Sequence, residues 1–321
     1  MDVLALTTYD DAPFMDQQIT ALERRGVSFE RLTVPGQVSA SESRSPSDYL
    51  RYFPQVIREA RNGYDLLHAH YGLTAPMALA QRRLPVVLTL WGTDLNGPAG
   101  PLTRVCAPRC DEVVVMTDGM KRTLGSDCTV IPFGIDLDLF RPRDRERARA
   151  RVGWAADEHH VLFPYSPERT VKNYPRAKQI VAAVDHHVDR PVNLQVVHGV
   201  DHETVPTYMN AADALLLTSD SEGSPTSVKE ALACNLPVVS LDVGDVRQRL
   251  AGVEPSRVAT SDGELVRSLV EVLERGDRSN GRAAAEKVSQ SVTIDRLLDV
   301  YERAVGHEID VERPEPAVRR R

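Results

Sequence analysis

Short apolar runs separated by longer amphipathic stretches recur along nearly the whole chain, and that rhythm constrains the fold more than any other feature. Runs such as VLALT (3–7), VVLTL (86–90) and EVVVM (112–116) are brief and rich in β-branched residues, whereas the intervening stretches read as amphipathic helices. Strands that alternate with helices build parallel sheets covered on both faces. The pattern predicts strands over 3–7, 28–34, 65–69, 86–90, 112–116 and 129–132, with helices over 15–25, 46–61, 73–81 and 119–124. It breaks once, at FGIDLDLFRP (133–142), and then restarts. Strands are expected over 160–164, 193–198, 214–218, 237–241 and 257–259. Helices are expected over 143–152, 175–186, 204–211, 227–234, 246–250, 263–275, 280–289 and 292–305. At 321 residues the chain exceeds one average domain. Two doubly wound α/β domains follow, 1–140 and 141–306, and the proline- and charge-rich end 307–321 reads as a tail of low order.

Composition removes several classes. A hydrophobic fraction of 42% with 26% charged residues is that of a globular chain, and no apolar run approaches the roughly 18 residues that span a bilayer. The N-terminus enters a strand without a basic flank or cleavage site, so a cytoplasmic setting is expected. Cys106, Cys110, Cys128 and Cys234 match neither a zinc spacing nor a disulfide framework, which leaves buried thiols. A formal charge of −7 argues against general nucleic-acid binding, which needs a basic surface. Walker, dinucleotide, nucleophile-elbow and metalloprotease motifs are missing, and no two carboxylates are spaced for a metal.

The stretch SDSEGSPTSVKEALAC (219–234) is more specific. It follows a buried strand, and Thr226 or Ser227 can N-cap a helix that Asn235 and Pro237 would stop. The loop therefore lies at the carboxyl end of a sheet, where open α/β sheets bind ligands. The N–H groups of Ser224 to Ser227 would attract phosphate or hydroxyl oxygens. Glu222 can reach whatever sits above that helix N-terminus, and Glu230, near the end of the first turn, can accept two hydrogen bonds from a vicinal diol such as a ribose.

Glu-x-Gly-x-Pro, a second glutamate after seven intervening residues, Leu-Pro-Val-Val and a second glycine loop at Val243-Gly244-Asp245 together resemble the family 4 retaining glycosyltransferases of the GT-B fold (glycosyl transferases group 1). The likeness runs over nearly the whole chain and is most specific over 204–245. It implies that Glu222 contacts hydroxyls of a donor sugar, that Glu230 holds the ribose of the nucleotide, and that Gly223, Ser224, Pro225 and Thr226 line the sugar and diphosphate site. In SPERTVKNYP the resemblance gives Arg169 and Lys172 the task of neutralising the diphosphate; fixed cations lower the barrier as the leaving group gains charge. VIPFGIDLDLFRP is similar to the family's interdomain hinge, with Phe133 in place of the common Asn. In TLWGTDL, Trp91 stands where many relatives carry His, and an indole cannot exchange a proton. His70, Trp91 and Asp94 are the acceptor-side candidates. The first loop, 8–14, lacks the paired glycines of many relatives.

The resemblance thus implies two Rossmann-like domains facing a central cleft, with 1–140 binding the acceptor and 141–306 the nucleotide sugar. The implied activity is transfer of a sugar from a nucleotide-diphosphate donor to a hydroxyl acceptor (glycan, polysaccharide precursor or lipid-linked saccharide), with retention. No cofactor, metal or nucleic acid is expected. Peripheral contact with the inner membrane face through Arg104, Arg109, Lys121 and Arg122 is expected from the same setting. Two other classes stay open: a catalytically inactive GT-B protein that binds nucleotide or glycan and supports a partner, and an epimerase or phosphorylase on the same architecture.

Overall fold

A computed structural model describes residues 1–8, 13–36 and 44–312. The chain divides into two compact units, Met1–Pro132 together with the chain from Ser291 onward, and Phe133–Gln290.

The first unit holds a six-stranded sheet, with β1 Asp2–Thr7, β2 Ser28–Thr33, β3 Leu66–His70, β4 Val86–Leu90, β5 Glu112–Val115 and β6 Thr129–Val130, in the order β2-β1-β3-β4-β5-β6. Every pairing is parallel. β3 and β4 are buried at every position and β1 at all but its first, as a sheet covered by helices on each side requires. The winding direction reverses between β1 and β3, which makes their carboxyl ends a topological switch point.

The second unit holds β7 His159–Phe163, β8 Val192–Val196, β9 Ala214–Leu217, β10 Val238–Leu241 and β11 Arg257–Ala259, all parallel, in the order β11-β10-β9-β7-β8. Renumbered within the unit and read from β8, this is 2-1-3-4-5, and its switch point lies between β7 and β9.

Two boundaries differ from expectation. The helix Gln290–Val305, assigned by sequence order to the second domain, packs Ile294, Leu297, Leu298, Val300 and Tyr301 into the core of the first unit. Its apolar stripe says that it must be covered but not by which sheet; Tyr301 OH lies 2.7 Å from His68 Nδ1, and Arg303 pairs with Glu112. The break at 133–142 belongs to the second unit, since Ile135 and Phe140 are buried in its core. Residues 307–312 of the expected tail are not loose: Arg25 and Glu312 exchange backbone and side-chain hydrogen bonds of 3.0 Å. Residues 313–321, with the terminal arginines, lie outside the described residues, as do 9–12 of the first loop. Helices Thr93–Asn96 and Gly100–Cys106 were not expected from the sequence. Among the described residues no helix is long and apolar enough to cross a membrane.

Candidate active site

The loop after β7 turns through Thr170–Lys172, and Asn173 takes up a left-handed backbone (φ 54°) to cap the helix Tyr174–Asp185. The loop after β9 leads into the helix Thr226–Ala233. These loops flank the switch point and are tied together: Thr218 Oγ1 donates to the Lys172 carbonyl (3.0 Å), and Asp220 N–H to that of Val171 (2.9 Å). Lys172 Nζ consequently sits 2.5 Å from Glu222 Oε1, with side chains only 6% and 11% exposed. Ser219 Oγ donates to the same oxygen at 2.6 Å, and the ammonium lies 4.0 Å from the Tyr165 ring centroid. Burial pulls the Lys172 ammonium below its ordinary pKa, while the contact with Glu222 works in the opposite direction. Arg169 is on the same loop but exposed.

Neither Thr226 nor Ser227 caps the following helix. Pro225 holds the N-cap position with no side-chain cap, and the Ser227 hydroxyl pairs with Tyr165 OH instead. The first amides of the helix therefore have no intrahelical acceptor and adjoin the Glu222–Ser224 loop. At the other end Asn235 is left-handed (φ 54°) as expected, and Leu236 N–H returns to Ala231 O at 2.8 Å. Ser227 through Ala233 are all buried. Glu230 is 8% exposed, and its Oε1 lies 3.2 Å from Nε2 of His202, in the turn after β8. That hydrogen bond pushes the imidazole pKa up.

A second loop clamps the first. Gly244 (φ +58°) approaches so closely that a Cβ on it would stand 2.3 Å from Gly223 O. Asp245 N–H donates to Gly223 O (3.1 Å), and its Oδ2 accepts from Ser224 Oγ and from Arg249 Nε, each at 2.8 Å. Beneath the loop the fully buried Lys229 donates to Phe133 O at 2.9 Å, and desolvation brings its pKa down to about 8. The sequence marks Val243-Gly244-Asp245 as a glycine loop without showing its task, and carries no signal for His202. Asn210 and Asp213, just ahead of β9, are architectural. Asn210 bonds Arg143 N–H and the Arg141 and Pro206 carbonyls, while Asp213 receives Arg149, Arg145 and His160 N–H.

The acceptor-side candidates lie in the first unit, apart from this cluster in the chain. Asp94 is 5% exposed and spends both oxygens on backbone, accepting from Gly92 N–H (2.8 Å), Trp91 N–H (3.1 Å) and Gly72 N–H (3.3 Å). Desolvation raises its pKa. Trp91 and Asp94 border a cavity of about 630 Å³. His70 is fully buried, does not line that cavity, and burial lowers its pKa to about 3, so the ring is neutral at neutral pH. Among the described residues no group of three or more His, Cys, Asp or Glu side chains could hold a metal ion.

Two parallel sheets, each with a switch point, are the architecture of the GT-B fold. Residues 1–127 match the glycosyl transferase 4-like domain and 185–275 the glycosyl transferases group 1 domain, and the chain belongs to that family. It is 29% identical over 264 residues to a teichuronic acid biosynthesis glycosyltransferase of Bacillus subtilis (strain 168), covering 70% of this chain and 65% of the relative. It is 30% identical over 304 residues to a D-inositol 3-phosphate glycosyltransferase of Mycobacterium bovis (strain BCG / Pasteur 1173P2), covering 76% of this chain and 62% of that protein. The chain thus spans under two thirds of the length of these relatives. An Anabaena protein, HepE, solved in complex with UDP, shares the fold with a TM-score of 0.70 at 16% identity, covering 93% of this chain and 99% of that one.

Proposed function

We propose that this chain is a retaining glycosyltransferase, which moves a sugar from a nucleotide-diphosphate donor to a hydroxyl acceptor without a metal. The observation that carries the reading is the convergence of Lys172, Glu222, Glu230 and the N-terminus of Thr226–Ala233 at the β7/β9 switch point. Glu230 holds the ribose, Glu222 and the backbone of Gly223, Ser224, Pro225 and Thr226 orient the donor sugar, and Lys172, with Arg169 at the rim, carries the diphosphate. As the bond from the anomeric carbon to the phosphate oxygen breaks, charge grows on that oxygen. A fixed ammonium in a water-poor pocket stabilises it. The acceptor oxygen bonds to the anomeric carbon on the face the phosphate leaves, and the acceptor's proton passes to the departing phosphate.

Calorimetry with UDP, GDP and ADP tests the assignment. Glu230→Ala should weaken the preferred nucleotide by about 10- to 100-fold, the loss of a charge-assisted hydrogen-bond pair. Unchanged affinity for all three would overturn the ribose role. The acceptor is a glycan, polysaccharide precursor or lipid-linked saccharide on the cytoplasmic side. Contact with the inner membrane face is supported by Leu102 and Val105, 43% and 56% exposed beside Arg104 and Arg109, with Lys121 and Arg122 on a neighbouring helix. Failure to float with anionic liposomes at low salt would remove that contact.

A further inference from the structure

We propose that the arginine-lined cavity between the helices Arg145–Val152 and Val205–Ala211 binds a phosphate monoester. The inference is independent of the transferase reading, since the cavity shares no residue with the donor cluster.

The helix Arg145–Val152 (RERARARV) packs on Val205–Ala211 with Ala148 as its only buried apolar residue. Charge holds it instead, and from one side. Arg145 and Arg149 turn inward to Asp213, at 3.0 and 2.6 Å, and Arg149 also donates to the carbonyls of Ala211 and Ala156.

A second row of arginines has no such task. Arg147 and Arg151 stand one turn apart, about 6 Å along the axis, and Arg143 continues the row ahead of the cap at Asp144; all three are exposed. Among the described residues the guanidiniums of Arg147 and Arg151 make no hydrogen bond and no ion pair, and that of Arg143 reaches only the Leu139 carbonyl, at 3.2 Å. Like charges four residues apart repel, and cations in the first turn of a helix oppose its dipole. The outer row therefore destabilises the helix, and no contact with the described residues offsets it.

The row borders a hollow. Arg143, Arg147 and Arg151 line a cavity of about 290 Å³ together with Asp144, Ala148 and Thr207. Asp144 Oδ1 accepts from Arg147 N–H at 2.8 Å as the helix cap, and the Thr207 hydroxyl has no partner among the described residues. Three guanidiniums against one carboxylate leave the lining with a net charge of +2. A dianion neutralises that charge, whereas a single carboxylate leaves half of it. Guanidinium forks take phosphoryl oxygens in pairs, and a threonine hydroxyl can donate to another. The volume lies just below the roughly 300 Å³ at which pockets for drug-sized ligands begin, so a phosphate with a small substituent fits where a nucleotide sugar does not. A nucleic acid would need a longer basic track than one helix face, on a chain whose formal charge is −7.

Calorimetric titration of the whole chain with inorganic phosphate and with glucose 6-phosphate, at an ionic strength fixed with sodium chloride, tests the site. Flotation with vesicles containing phosphatidic acid, against phosphatidylcholine alone, separates a lipid headgroup from a soluble ester. The expected result is saturable binding in at least one arm that weakens about tenfold or more in the double variant Arg147→Gln/Arg151→Gln. Arg147→Lys, which keeps the charge and loses the fork, should fall between. The Arg147-dependent binding should persist in Lys172→Ala, which separates it from any phosphate taken up at the donor edge. Without phosphate the double variant should melt no lower than the parent, because the substituted side chains hold nothing in place; with phosphate the parent should gain the larger shift in melting midpoint. Arginine-dependent binding in solution assigns the site to a soluble ester, and arginine-dependent flotation without it to a headgroup. No saturable binding in either arm, equal binding by the double variant, or loss of all binding in Lys172→Ala would overturn the proposal.

Discussion

The two switch points handle their polar groups in opposite ways. At the β7/β9 edge nearly every functional side chain is already paired with another: Lys172 with Glu222, Glu230 with His202, Ser227 with Tyr165, Ser224 with Asp245. At the carboxyl edge of the first sheet Thr8, Trp91 and His70 carry buried atoms with no partner among the described residues. The first arrangement suits a charged ligand, because opposite charges hold each other in place until a diphosphate and a sugar take over their contacts. The second leaves only neutral groups unpaired, and an unpaired hydroxyl or indole N–H costs far less than an unpaired charge.

Lys172→Ala should break this contrast most severely. It removes the cation assigned to the leaving group and leaves Glu222 a buried charge without its partner, so turnover should fall about 100- to 1,000-fold with a smaller change in donor KM. A kcat within twofold of the parent in a steady-state transfer assay would contradict the assigned role. Gly244→Ala comes next. The added Cβ would meet Gly223 O at 2.3 Å on a backbone with φ +58°, so the clamp must open at a cost of roughly 1–3 kcal/mol. Donor affinity should drop while the first unit keeps its hydrogen-exchange protection. Full affinity in Gly244→Ala would show that the Glu222–Ser224 loop does not depend on the second loop.

Much of this was legible from local pattern. All the strands of both sheets lie within about two residues of the apolar runs, because buried parallel strands must be apolar on both faces and little else in a chain is. The glutamate pair, the stop at Asn235 and the break at Phe133 are likewise local signals. What escaped depends on distant partners. Ser227 reads as a cap until Tyr165, 62 positions earlier, claims its hydroxyl. Gly244 reads as an ordinary turn until its contact with Gly223 is known, and His202 as a loop residue until Glu230 lies beside it. The helix Gly100–Cys106 hid in NGPAGPLTRVC, whose glycines and prolines read as a loop.

The buried imidazoles of the first unit sharpen the comparison through acid. His70 holds its pKa near 3 and His68 lies well below its ordinary range, both because burial disfavours the charged ring. The unfolded chain binds these protons near pH 6.5 and the folded chain does not, so the stability they contribute is full above pH 6.5 and is lost as pH falls below it. By pH 5 the loss should be roughly 1–2 kcal/mol for the His70 ring. Hydrogen exchange should show β3 and Gln290–Val305 loosening between pH 6.5 and 5, and His70→Leu should flatten part of that slope. A slope identical to that of the parent would mean that His70 is not held neutral.

His202→Ala should give the smallest effect and tests the donor edge from the opposite side of the pH scale. Here the folded pKa is raised by Glu230, so the contact contributes stability that is full below about pH 6.5 and fades as pH rises through the raised value. Because the ring is 45% exposed, solvent screens the pair and little global stability rides on it. The informative readout is nucleotide affinity against pH. The protonated imidazole occupies the Glu230 oxygen that a ribose hydroxyl would need, so replacing His202 should improve nucleotide binding a few-fold at pH 6 and barely change it at pH 8. Improvement of equal size at both values would point to relief of crowding rather than to competition for the carboxylate. A loss of affinity at pH 6 would make His202 a ligand of the nucleotide in its own right.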